Sequence, residues 1–254
     1  MLLLLLLLSL ASASVREALE LHAQHTVLPI PMPSDAQLAE LESGGVVKVR
    51  LPGSPGAPDG AMILAVSELS REALWLGSAD SHGEEDRVTA HHLPLRGPEM
   101  FRWYGLVDLP RPFADRHFLI RTVINTALSA AQPGMWERAW NLEPSGQQTM
   151  RELVVSGTVA GVTPERFDAS VYTPTNRGAW LMLDLDDGRT LFGYHAATSL
   201  GGDIPDAIVA RYAFWGLDEI ARTVFSRARA ITSHYRAGHA PVRGGAGEPV
   251  PFYP

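Results

Sequence analysis

The chain contains no cysteine. That absence excludes disulfides, thiolate nucleophiles, cysteine-ligated zinc and lipid attachment at an N-terminal cysteine. It leaves the compartment open. Long basic runs are missing too, and the formal net charge is -7. A nucleic-acid partner needs a phosphate-neutralising face, so that class is set aside. The acidic balance mainly implies solubility. Nucleotide and hydrolase signatures are also lacking: there is no G-x-G-x-x-G, no P-loop and no G-x-S-x-G. The histidines show neither HExxH nor HxxxH spacing, which argues against a metal site. His91 and His92 are adjacent, and adjacent strand residues point to opposite faces. No cofactor is expected.

What is present reads as a globular chain. Of 254 residues, 46% are hydrophobic and 19% charged, which excludes general disorder. The N-terminus carries a leucine run, Leu2 to Leu8, followed by Ala11-Ser12-Ala13. The run is about half the roughly 20 residues that a membrane span needs. It reads as the h-region of a signal peptide with an A-x-A cleavage site, though no Lys or Arg precedes it. Residues 1–13 are therefore assigned as a signal peptide and the protein is expected to be exported, periplasmic or secreted. A different reading is an uncleaved apolar arm packed on the domain.

Residues 14–33 read as an N-terminal helix and linker, broken by Pro29, Pro31 and Pro33. Ser34 is a good N-cap for a helix over 35–42. Strands are predicted at 46–51 and 61–66, then a helix from Ser70 to about Leu76. The middle is strand-rich, with segments at 100–109, 116–125 and 136–142. Phe118, Ile120 and Ile124 share one face of their strand, and His117, Arg121 and Asn125 share the other. Segments 179–185 and 190–198 form a hairpin around Asp187-Gly188. Residues 145–175 have no clear period. From Pro205 to His234, apolar residues recur at helical spacing: Ile208, Tyr212, Trp215, Ile220, Val224, Ala228 and Ile231. Residues 237–254 are Gly/Pro-rich and are assigned as a flexible tail. Short N-terminal helices, an antiparallel sheet and a long C-terminal helix make an α+β layout.

Three segments, in order, resemble a known family. Asp108-Leu-Pro-Arg-Pro-Phe-Ala-Asp-Arg-His-Phe118 is similar to an "LPxPxxxRDF" crossover. Gly178-Ala-Trp-Leu-Met-Leu-Asp-Leu-Asp-Asp-Gly-Arg-Thr190 is similar to a "W…P…DGKT" hairpin. Leu200-Gly-Gly-Asp-Ile-Pro205 is similar to "DPGGxIP" before a long helix. Together they resemble the START domains (steroidogenic acute regulatory-related lipid transfer) of the helix-grip superfamily, over residues 34–236. Three places depart from the pattern. His117 replaces an Asp, Ser199-Leu200 replaces Asp-Pro, and Thr122 stands where many members carry an Arg. The resemblance implies a curved antiparallel sheet gripping the C-terminal helix, with a cavity for a lipid. The expected partner is a hydrophobic small molecule: a sterol, fatty acid, phospholipid or isoprenoid. Transient membrane contact is also implied.

Strand parity, the crossover match and the helix stripe nominate a ligand-binding set: Trp103, Phe118, Ile120, Thr122, Arg138 and Trp140, with Ile208, Tyr212 and Trp215 from the helix. Arg138 stands between Trp136 and Trp140 at strand spacing. On a concave face it is a buried cation in need of a headgroup carboxylate or phosphate; on a convex face it stacks on indoles at the surface. Arg116 is expected to tie its loop to Asp115 or Asp108, rather than to face a ligand. Gly201-Gly202 reads either as a hinge or as a tight turn. Gly216 either permits close helix packing or leaves room for ligand. No catalytic residue is nominated. The rival function is a helix-grip cyclase or dehydratase, and it requires His195 and a carboxylate to face the cavity together.

Overall fold

The computed structural model describes residues 14–79, 88–93 and 100–254, with 88–93 and residue 100 described as backbone only. Residues 1–13, where the leader is expected, lie outside the described residues. Two short helices come first, α1 (Val15–His25) and α2 (Asp35–Glu42). Each begins at a serine whose hydroxyl accepts a backbone N–H of the first turn, Glu17 for Ser14 and Gln37 for Ser34. Strands β1 (Val46–Leu51) and β2 (Gly60–Ser67) follow, then helix α3 (Arg71–Ala79). Next come β3 (Val88–Leu93), β4 (Met100–Val107) and β5 (Arg116–Ile124). Helix α4 (Thr126–Ala131) leads into β6 (Met135–Leu142). The stretch without a clear sequence period holds two helices, α5 (Gly146–Val155) and α6 (Pro164–Ala169), and the two-residue strand β7 (Val171–Tyr172). Strands β8 (Thr175–Asp184) and β9 (Thr190–Ser199) precede the long helix α7 (Asp206–His234).

The strands form one sheet in the order β1-β2-β9-β8-β6-β5-β4-β3, antiparallel throughout, with β7 added parallel to β5. The Asp187-Gly188 turn sets the β8–β9 register. Gly188 adopts φ 85°, which glycine accepts without strain. The two arms therefore pair symmetrically about it, Trp180 opposite Tyr194 and Met182 opposite Phe192.

Both faces of the sheet are covered, contrary to a half-buried strand at 116–124. Helices α3 and α7 lie on the inner face over Ala61, Ile63, Ala65, Met182 and Phe192. On the outer face α1 and α2 pack on Met62, Leu64, Leu181 and Leu183. Further along it, α5 and α6 bury Tyr104, Leu106 and Leu119 beneath Met150, Val154 and Phe167.

Residues 237–254 are not a flexible tail. The backbone of this segment is held at both ends: Tyr235 Oη donates to the Val250 carbonyl at 3.0 Å, and Val242 N donates to Tyr235 Oη at 2.9 Å. Trp75 Nε1 donates to the Arg243 carbonyl at 2.7 Å. Gly244 and Gly245 lie against the Trp136 ring so closely that a Cβ on Gly245 would fall 2.2 Å from it. The glycines that read as looseness are what let the backbone settle on an indole.

Candidate functional site

Sheet register decides which side chains meet. Thr122 pairs with Trp140, Trp103 with Ile120, and Arg138 with Trp180, so these residues share the inner face. Phe118, Ile120 and Trp140 are buried there in one cluster, joined by the half-buried Trp103, Val107, Leu142, Trp180, Tyr194 and Ala196. Thr122 is buried on the same face. The strand part of the sequence-nominated set thus converges.

The result is an aromatic-lined stretch of the inner face, termed the trough. The Trp140 ring stacks on Tyr194 at 5.9 Å, and Trp180 lies 4.4 Å from Tyr194. Trp103 and Phe118 are 5.3 Å apart. Gly178 makes this possible, because a Cβ there would fall 2.4 Å from the Trp140 ring. Trp140 Nε1 donates to Asn176 Oδ1 at 3.0 Å, which fixes the indole's orientation. Burial pushes the Tyr194 phenol up to about 12, so the hydroxyl stays protonated at neutral pH. Helix α7 packs chiefly on α3, β2, β9 and β1, and its core reaches this region at Trp180 and Tyr194.

Ile208, Tyr212 and Trp215 require correction. They are 48%, 66% and 51% exposed and do not join the trough. The stripe of α7 that turns inward is Val209, Leu217, Ala221, Val224, Ala228 and Ile231. Two adjacent stripes of this helix are apolar, and the less bulky one packs because alanines let the helix approach α3 and the sheet closely. Gly77 of α3 meets it there, with its Cα so near the Val224 carbonyl that a Cβ would fall 2.7 Å away. The bulky stripe keeps Tyr212 and Trp215 edge-to-face at 5.7 Å with Arg211 over the Trp215 ring. Around Gly216 a Cβ would meet nothing within 4 Å, so the glycine is not needed for close packing.

Arg116 behaves differently from expectation. It donates to the carbonyls of Leu200 at 2.7 Å, Gly201 at 3.1 Å and Ala114 at 2.5 Å. Asp108 and Asp115 pair with Arg166 instead. Gly201 and Gly202, at φ 66° and 62°, therefore form a turn pinned to the crossover by a buried guanidinium. His91 and His92 lie on β3, whose side chains are not described.

His195 does not face the trough. It lies on the outer face opposite Ala179 and Met62, beneath α1. Burial lowers its pKa to about 4, with Glu137 raising it and His22 and Arg177 lowering it. The pairing required for an acid/base site in the trough is therefore not formed by this residue. The outer face instead holds a buried polar cluster around Glu137, which sequence reasoning missed. Trp180 and Tyr194, which the sequence reading did not nominate, join the trough; the one local signal for them is their equal distance from Asp187, which pairs them across the hairpin.

No protein-family profile and no curated protein matches the chain. Solved structures do. Human StAR-related lipid transfer protein 5 superposes with a TM-score of 0.55 at 11% identity, over 84% of this chain and 94% of that one. Human STARD10 gives 0.53 at 10%, over 82% and 84%. A STAR-related lipid transfer protein from Xanthomonas axonopodis gives 0.52 at 13%, over 79% and 98%. The class is therefore a helix-grip α+β fold. Within that class, the architecture is that of a START-like domain.

Proposed function

We propose that the chain binds a hydrophobic lipid in the inner-face trough and carries or senses it. The observation that carries this reading is the aromatic trough itself: an apolar surface of buried and half-buried rings on the inner sheet, bordering the core under α3 and α7. Burying apolar ligand area contributes roughly 25 cal/mol per Å², so affinity needs little polar chemistry. That solved structures of this architecture bear the name lipid transfer supports the same reading. Loading from a membrane, through a transient contact, belongs to the proposal.

Native mass spectrometry with lipid extraction of protein from its own host tests it directly; empty protein would count against it. Trp103→Ala removes a half-buried wall residue and is expected to weaken binding of a fluorescent fatty acid about tenfold. Trp215→Ala is expected to leave that affinity unchanged. The reverse order of effects would return the site to the exposed helix stripe.

We also propose that the leader directs export and is removed after Ala13. N-terminal sequencing of exported protein is expected to begin at Ser14. Met1 retained in cytoplasmic protein would overturn it.

A further inference from the structure

Arg138 is a buried charge with no carboxylate paired to it among the described residues. It is 6% exposed, on the inner face, at the seam where the core under α3 and α7 meets the trough. None of the ion pairs among the described residues involves it. Its neighbour in the chain, Glu137, faces the opposite side of the sheet and is engaged by His22, Thr26, Val27 and Asn125. Nη2 of Arg138 donates to the Ser78 carbonyl at 3.2 Å and to Ser78 Oγ at 3.1 Å. Cζ lies 5.0 Å from the Trp75 ring centroid.

These contacts place the group without discharging it. The C-terminal end of α3 and the indole face offer partial negative charge. They use one nitrogen and one face of the guanidinium. Nε and Nη1 have no acceptor among the described residues. Burial lowers the pKa only to about 10, so the group stays cationic at neutral pH. A buried cation with unused donors is costly unless an anion meets it. Trp180 pairs in the sheet with Arg138 on one side and Tyr194 on the other, so the cation stands in the same cross-strand row as the trough's aromatic wall.

We infer that Arg138 receives the anionic head, a carboxylate or a phosphate, of the lipid whose apolar part fills the trough. The inference rests on the lipid-binding reading above. Arginine suits either head, because charge-assisted hydrogen bonds to carboxylate and phosphate share the same donors.

Binding of four probes to the full chain tests this: palmitate against hexadecanol, and dioleoyl phosphatidate against dioleoylglycerol. The unaltered protein is expected to prefer at least one anionic member of its pair by about tenfold to a hundredfold. Preference in the first pair identifies a fatty acid, and in the second a phospholipid. Arg138→Gln is expected to collapse that preference, the anionic member losing far more affinity than the neutral one. Should that variant not fold, palmitate labelled with carbon-13 at its carboxyl decides the matter in the unaltered protein. The bound carboxyl is expected to titrate at lower pH than in micelles. Neutral and anionic members bound equally, with the carboxyl titrating as in micelles, would overturn the role of Arg138 and leave the trough reading standing. Failure of all four probes to bind overturns both.

Discussion

Stability is expected to fall by about 3 kcal/mol for each of two histidines as the pH is lowered from neutrality towards about 4. His117 is fully buried among rings, with Phe167 at 4.3 Å, Tyr172 at 5.2 Å and Tyr104 at 6.1 Å. Neither of its ring nitrogens has a hydrogen-bond partner among the described residues. Burial lowers its pKa to about 4. His195 is lowered to about 4 by the same cause beneath α1, and its Nε2 is likewise unpartnered. In the unfolded chain both bind a proton near pH 6.5, the ordinary histidine value. In the folded chain both stay neutral until about pH 4. Their contribution is therefore present above pH 6.5 and lost as the pH falls through that window. Urea unfolding at a series of pH values measures the slope. His117→Phe keeps an aromatic ring in the site and is expected to remove about 3 kcal/mol of the pH-dependent loss. An unchanged slope in that variant would show that His117 is solvated or partnered in solution.

Glu137→Ala is expected to cost about 3–5 kcal/mol and to release the N-terminal helix. Glu137 is fully buried and accepts from groups on α1, the loop after it and the end of β5. His22 Nε2 approaches Oε1 at 3.2 Å, and Thr26 Oγ1 donates to the same oxygen. Val27 N donates to Oε2 at 3.2 Å and Asn125 Nδ2 at 2.6 Å. Burial alone would raise the carboxyl pKa, but the hydrogen bonds and the charge of His22 outweigh it and hold the group below the usual range. Removing the carboxylate takes the acceptor from four groups at once, two of them on the buried His22 and Asn125, which is why the loss exceeds that of one hydrogen bond. Asn125 also donates to the His25 carbonyl at 2.8 Å, so the cluster pins the C-terminal end of α1 to β6. Hydrogen exchange over residues 15–25 is expected to rise sharply in the variant. A loss below about 1 kcal/mol, with α1 still protected, would mean that water replaces the carboxylate. His195 lies on this same outer face because its parity in β9 sets it opposite Met62 and Ala179.

Much of this was legible locally. The period-2 pattern of 116–124 put Phe118, Ile120 and Thr122 on one face, and the Asp187-Gly188 turn fixed which β8 and β9 residues oppose each other. The helix start at Ser34 followed from capping chemistry. Three matched segments pointed to the helix-grip architecture before any distance was known. The period of a strand or helix is a property of neighbouring residues, so it can be read from the chain. What lies across from a given face is not. Two stripes of α7 were apolar, and only packing against α3 and the sheet selected the one with alanines over the one with Tyr212 and Trp215. The glycines of 237–254 spelled mobility until Trp136 and Tyr235 were placed beneath them. Glu137 and His22 are 115 residues apart, and no local rule joins them. Which groups Arg138 meets is likewise decided by which faces the sheet turns inward, because alternation sends Glu137 to one side and sets the cation against Ser78 and Trp75 on the other.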